Sequence, residues 1–312
     1  RAVGFSPVVN VDGGATVWTL SGDVRIGDDI VNPDAGDGTL NVTGGATVDA
    51  GGVTVLGRFD TAGSGTIHLQ DGTFGNAAGE LHIIRGALTG HGDVISNSLV
   101  NRDTVAPGSS AGIIDLTGNY TQASTGELVI ELGGTDNSDP NNPQFDVLNV
   151  VGTADLNGLL DVSAIDGFEN TIAPADQFTI LDATTLTGAF ANVAPGTRIG
   201  LTNSGGHIRV DYGAGSPFDP NEVVLSDFAA GPLVATWIAG PSDWTTAANW
   251  DINQLPNNGS IIFDAIVPTG TATVDAPIEV RALTVSAGGT IDVDNNLTIT
   301  EDTQFTGGDL SI

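Results

Sequence analysis

Cysteine, methionine and lysine are all absent from this 312-residue chain, and its eight basic residues are all arginine. Without cysteine the fold cannot depend on disulfides, and thiolate catalysis and thiolate metal sites are excluded. The four histidines, His68, His82, His91 and His207, never fall in a pair such as H-x-x-x-H, and that spacing argues against zinc. Ser110 matches the G-x-S-x-G spelling in Gly108-Ser-Ser-Ala-Gly112, but Ser109 and Ser110 follow Pro107-Gly108 and read as turn residues. No apolar run reaches the roughly 18 residues that a membrane-spanning helix needs, so no membrane insertion is expected. Aromatic residues make up only 5%, which leaves little material for the aromatic subsites of a polysaccharide-degrading enzyme. The chain starts at Arg1 with no initiator and no hydrophobic leader, and it is read as a mature or excised segment.

What is present points to strands and turns. There are 44 glycines and many Thr, Val, Asp and Asn residues, poor material for helices and good material for short strands joined by tight turns. Hydrophobic residues make up 40% and recur along the whole chain, so burial is available throughout and disorder is not expected. The net charge is −30, and most of the 38 acidic residues are Asp, which suits turns and hard cations. Such a surface repels phosphate backbones and anionic lipid, so nucleic acid is excluded as a partner. A solvated acidic surface is the simpler reading of the same charge.

From Val8 to about residue 105 the chain repeats a Gly-Gly or Asp-Gly turn followed by three to six alternating residues. Gly38-Thr-Leu-Asn-Val-Thr43 and Gly65-Thr-Ile-His-Leu69 are examples. Such strands are too short to stand alone, and stacking in successive coils pairs each with its equivalent in the next turn. An antiparallel sandwich shows the same alternation and is the competing fold. From 106 to 212 the strands lengthen, as in Gly126-Glu-Leu-Val-Ile-Glu-Leu132, and read as the last rungs and cap of a solenoid. Residues 213–234 have the Gly, Pro and Ser content of a linker. Residues 235–312 open with Trp237, Trp244 and Trp250, then resume the strand-and-turn texture up to Thr306-Gly-Gly-Asp-Leu-Ser-Ile312. A second β-solenoid, or a β-sandwich segment, is expected there.

Two stretches carry a family resemblance. Gly38-Thr-Leu-Asn-Val-Thr-Gly-Gly-Ala-Thr-Val48, Leu88-Thr-Gly-His-Gly-Asp-Val94, Val105-Ala-Pro-Gly-Ser-Ser110 and Leu116-Thr-Gly-Asn-Tyr-Thr-Gln122 together resemble autotransporter passenger domains, over about residues 8–212. The resemblance implies a right-handed parallel β-helix, with the Pro-Gly-Ser and Gly-Asn-Tyr passages marking the approach to its C-terminal cap. Those proteins continue into a membrane barrel, whereas here Gly213 leads to the Trp-rich segment. That segment, with Asn249 before Trp250 and Pro256 after it, resembles the opening of repetitive bacterial cell-surface proteins.

Candidate chemistry is confined to a few places. The loop Asp136-Asn-Ser-Asp-Pro-Asn-Asn-Pro-Gln-Phe-Asp146 gathers hard oxygens, and Asp136, Asp139, Asn141 and Asp146 are candidate calcium ligands, with Asp292 and Asp294 as a weaker pair. A solvated turn is the competing reading of each. Asp28-Asp29, or Asp34 with Asp37, could be drawn as an acid and base, but they lie among turn residues. The three tryptophans read as the cover of a first rung, or as a sugar-stacking platform. The expected function is a non-enzymatic structural subunit of a secreted or surface-exposed bacterial filament, sheath or stalk. Its partner is another copy of itself, added head to tail, with an open rung near Ile312 pairing with the start of the next copy near Val8 to Val17. A glycan-binding adhesin is the alternative, and a polysaccharide lyase or hydrolase the third reading.

Overall fold

In a computed structural model, residues 6–27, 36–58, 63–108, 110–202, 204–259 and 261–311 are described. Among them there is no α-helix, only strands and three short 3-10 turns. The protein is all-β, and its strands are stacked in a parallel, solenoid-like fashion.

The first turn of the chain contributes β1 (Val8–Asp12), β2 (Val17–Leu20) and β3 (Val24–Ile26), and the second β4 (Gly38–Thr43), β5 (Thr47–Ala50) and β6 (Val53–Leu56). In register and in parallel, β1 pairs with β4, β2 with β5 and β3 with β6. The third turn is one continuous strand, β7 (Gly65–Ile83), which runs along all three of these columns in succession. It is followed by β8 (Gly86–Asn101), β9 (Thr104–Pro107), β10 (Ile113–Gln122), β11 (Glu127–Leu132), β12 (Val147–Leu156), β13 (Leu159–Ala164) and β14 (Gln177–Gly188). Equivalent positions recur at intervals that vary with corner length: Asn10 and Asn41 lie 31 residues apart, Gly86 and Asp103 17, and Asp115 and Asn149 34.

This register puts like on like. One inward file of the first column reads Val9, Leu40, Ile67, Leu88, Val105, Leu128, Leu160. In the second column Trp18, Val48, Phe74, Val94, Leu116, Val150 and Ala183 stack. From Leu40 onward the first file is buried, and burying each such side chain contributes about 1.5–3 kcal/mol. The alternation is the ordinary one of a strand, and it decides which residues face in.

Corners are where the sequence departs from alternation. Asn101 and Gln122 occupy the inward site that Leu56 and Ile83 fill in earlier turns, and both are buried. Asn101 Nδ2 donates to the Glu127 carbonyl at 2.9 Å, and Gln122 Nε2 to the Leu159 carbonyl at 2.7 Å, so each amide satisfies a backbone carbonyl of a following turn. The Tyr120 hydroxyl donates to Gln122 Oε1 at 2.9 Å and accepts from Asn101, and burial pushes that phenol up. At Gly118, with φ 138°, a Cβ would stand 1.6 Å from the Ser96 carbonyl oxygen. Only glycine lets that turn lie against its neighbour.

The parallel stacking ends where β17 (Glu222–Ala229) runs antiparallel to the first half of β14, after β15 (Thr197–Gly200) and β16 (His207–Asp211). Contacts divide the chain into a unit of residues up to Gly196 with Val210–Ser226, and a second of Thr197–Arg209 with Asp227–Ile312. The expected linker at 213–234 is therefore structured in its second half. Val223, Val224, Leu225 and Phe228 are buried, and within 213–234 residues 213–221 and 230–232 lack a strand.

Within the second unit, β18 (Leu233–Thr236), β19 (Ser242–Asp243), β20 (Phe263–Val267), β21 (Gly270–Val274), β22 (Ile278–Ser286), β23 (Gly289–Val293), β24 (Leu297–Thr306) and β25 (Asp309–Ser311) form two parallel four-stranded sheets. Their orders are β18-β20-β22-β24 and β19-β21-β23-β25, the same stacking of equivalent strands.

The close approach at Gly118 gives a direct test. Gly118→Ala is expected to cost roughly 2–4 kcal/mol in urea unfolding. Gly215→Ala, where nothing lies within 4 Å of an added Cβ, should change stability by less than about 0.5 kcal/mol.

Candidate functional site

Asp146 does not join the other oxygens of its loop. It is buried at the corner between β11 and β12, where its Oδ1 accepts from the Gly112 amide at 2.7 Å and its Oδ2 from the Glu131 amide at 2.8 Å. The Asp146 amide donates back to the Glu131 carbonyl, so the side chain clamps the base of the excursion. Burial pushes its carboxyl up to about 8, outweighing the two amide hydrogen bonds that favour the ionised form.

The tip of the loop is a set of self-capped turns. Hydrogen bonds from the Ser138 hydroxyl and amide hold the Asp136 carboxyl below its usual range. Asp139 Oδ1 accepts from the Asn141 amide at 3.0 Å, and Asn137 Oδ1 accepts from the Gln144 and Phe145 amides. Asp136, Asp139 and Asn141 are exposed, and they share this tip without Asp146. Asp292 is half-buried on β23, opposite Thr273 and Ser311, and Asp294 is exposed in the turn after it. Among the described residues no group of three or more His, Asp or Glu side chains is arranged to hold a metal ion. Asp37 Oδ1 accepts from the Ser64 hydroxyl at 2.8 Å and its amide at 3.0 Å, while Asp28, Asp29 and Asp34 lie outside the described residues.

The three tryptophans of the second unit are core. Trp237, Trp244 and Trp250 are all buried, with Trp250 edge-on to both of the others at centroid distances of 5.1 and 4.6 Å. Trp244 Nε1 donates to the Pro256 carbonyl at 2.9 Å and Trp250 Nε1 to the Trp244 carbonyl at 3.0 Å. Asn249 Nδ2 bonds Ser242 and the Asp243 carbonyl. The Trp, Asn and Pro of the motif thus build a packed turn, and none of the three rings offers a face to a sugar.

A second buried titratable group sits in this unit. His207 Nδ1 lies 3.0 Å from Arg198 Nη1, and Arg198 also bonds the Asp227 carboxylate and carbonyl. Burial, then the Arg198 charge, lowers His207 to about 4, so it is neutral at physiological pH.

The sequence reading expects an open rung near Ile312 to pair with the start of another copy near Val8 to Val17, without naming the side chains at either edge. Among the described residues, β1, β2 and β3 have a strand partner on one side only. Their inward positions are consequently uncovered: Val9 and Trp18 are exposed, and with Val24, Ile26 and Leu40 they line an apolar concavity of about 160 Å³. In the second unit β24 and β25 are likewise paired on one side, leaving Phe305 and Leu310 exposed at inward positions. The signal was available in principle, as the first and last members of each apolar file. The registers needed to read it were not.

No known protein family, curated protein or solved structure matches this chain.

Two measurements test these placements. In the native state Asp146 keeps its proton up to about pH 8, against about 4 when unfolded, so the stabilisation is fully present below about pH 4 and is lost as pH rises through 8. His207 acts in the opposite sense, with stabilisation lost as pH falls from 6.5 through about 4. Urea titrations between pH 4.5 and 7.5 should show a smaller decline with rising pH in Asp146→Asn, and a smaller increase in His207→Gln, each against the parent protein. Iodide should quench only the Trp18 component of the indole fluorescence, and Trp18→Phe should leave an emission that iodide barely touches.

Proposed function

We propose that this chain is a structural subunit of an extracellular bacterial surface filament, sheath or stalk. In this reading its first unit is a right-handed parallel β-helix of the autotransporter-passenger kind, its second begins another coil, and neither is an enzyme. The observation that carries the reading is the pair of uncovered edges. β1, β2 and β3 have five, four and three residues, and the last turn of the second unit offers Asp302–Thr306 of β24 and the three residues of β25. Strand addition of β1–β3 from one copy onto β24 and β25 of the next supplies main-chain hydrogen bonds and continues the apolar files. The contact is heterologous, so it propagates into a filament unless its rotation closes it into a ring. The −30 charge opposes close approach of copies, and calcium enters as a counter-ion for exposed carboxylates such as Asp136 and Asp139.

Electron microscopy of the purified chain tests this, first with calcium and then with a chelator. Regular fibres are expected, and Val9→Asp with Trp18→Asp should abolish them while leaving the β circular dichroism signal in place. Loss of the parent's fibres on chelation assigns calcium a structural role. Dispersed particles in both conditions exclude self-assembly through these edges.

A further inference from the structure

Three local departures from the regular coil converge on one place in the first unit. The first is a bulge: Gln70 pairs with His91 and Gly72 with Gly92, so Asp71 is an extra residue with no partner in β8. Its backbone is left-handed, with φ 59°, a conformation that Asp adopts less readily than Gly. The second is the tight corner Gly90–Gly92, which holds His91. The third is the Asp136–Asp146 excursion, whose Asn141 and Pro143 overhang the same spot. Together with His68 and Gln70 they enclose a cleft of about 320 Å³. Strained, bulged positions that gather at a concavity are where function is expected to override regularity.

The groups in the cleft have defined roles. His91 Nδ1 accepts from the Ile113 amide at 3.1 Å, so the proton of the neutral ring sits on Nε2. That Nε2–H faces Asp71 Oδ1 at 3.7 Å, too far for a hydrogen bond between them. The His91 donor and the Asp71 acceptor, whose side chain is 61% exposed, thus stand side by side, and one oxygen lying beside the pair reaches both. A hydroxyl is the group that does so, accepting from His91 and donating to Asp71. His68 Nδ1, 3.0 Å from Thr89 Oγ1, and the Gln70 amide extend the polar wall. A cation is not suited to the cleft, because His91 presents a proton and not a lone pair. An anion meets the Asp71 carboxylate and the net charge of −30.

The geometry points to a binding site for a neutral, polyhydroxylated ligand, a hexose unit of a glycan, with Asp71 as hydroxyl acceptor and His91 Nε2 as donor. The volume is at the small end of ligand sites, which suits one sugar ring. No Phe, Tyr or Trp lines the cleft, so affinity rests mainly on hydrogen bonds and falls in the millimolar range, on the order of 1 mM. The inference does not rest on the assembly reading, since the cleft lies on a corner and not on an open edge.

The chain has only four histidines, which makes their imidazole NMR signals a clean readout. The intact protein is titrated with methyl α-glucoside, methyl β-galactoside, methyl α-mannoside and N-acetylglucosamine, each to about 50 mM, well above the expected dissociation constant. The expected result is saturable movement of the His68 and His91 signals with at least one of these sugars, while His82 and His207 stay still. Asp71→Gly removes the carboxylate and accepts the left-handed backbone, so it should fold at least as stably and bind at least about tenfold more weakly. Gln70→Ala should weaken binding less. Absence of saturable movement with all four sugars, equal movement of all four histidines, or unchanged binding in Asp71→Gly overturns the assignment.

Discussion

Parallel main-chain pairing between equivalent strands of successive turns is the interaction on which everything else here depends. A strand of three to six residues has no stability of its own, and none of the early turns contains enough apolar surface to form a core. Stacking solves both problems at once, because the register that pairs Leu40 with Ile67 and Ile67 with Leu88 also merges their side chains into one column. Stability is consequently a nearest-neighbour property. A turn with a neighbour on one side only is incomplete, and Val9, Trp18, Phe305 and Leu310 show what incompleteness means at each edge.

Corners bear the cost of this arrangement. The chain must change direction in every turn while an adjacent turn lies under it, so backbone groups at corners need partners and Cβ atoms are often excluded. Glycine meets the second demand at Gly118. Buried amides meet the first, and Asn101 and Gln122 replace aliphatic residues where carbonyls would otherwise be orphaned. The Asp146 carboxyl group accepts instead from two backbone amides, those of Gly112 and Glu131, at the expense of a buried ionisable group. His207 is the counterpart in the second unit, held neutral beside Arg198. Of these polar residues the sequence offers Asp146 as a candidate for chemistry, and its oxygens are occupied by the Gly112 and Glu131 amides.

Local departures from the coil therefore need sorting by what they satisfy. The Trp237, Trp244 and Trp250 cluster and the Asp146 clamp are absorbed by packing and hydrogen bonding. The bulge at Asp71 is not, because its carboxylate and the His91 Nε2–H stand 3.7 Å apart with neither completing the other. The uncovered edges are also unabsorbed, and they differ from the cleft in kind: one offers backbone and apolar surface, the other paired polar groups.

The sequence by itself determined the strand-and-turn character, the all-β class and many of the strands. Gly38–Thr43, Glu127–Leu132 and Gly289–Val293 were legible because alternation and glycine punctuation are local signals. It did not show that β7 passes through three columns as one strand, because Asp71-Gly72 interrupts the alternation and reads as a turn. Nor could it separate Asp146 from Asp136 and Asp139. All three are Asp in one polar loop, and only the packing of Gly112 and Glu131 around the first makes it a buried clamp. The second half of the expected linker was missed because its Val-Val-Leu run is short and follows a Gly- and Pro-rich stretch. The register between turns 17 to 34 residues apart belongs to the tertiary structure alone. Corner length is free to vary in sequence, so which residues share a file, an edge or a cleft is fixed only when the turns are laid on one another.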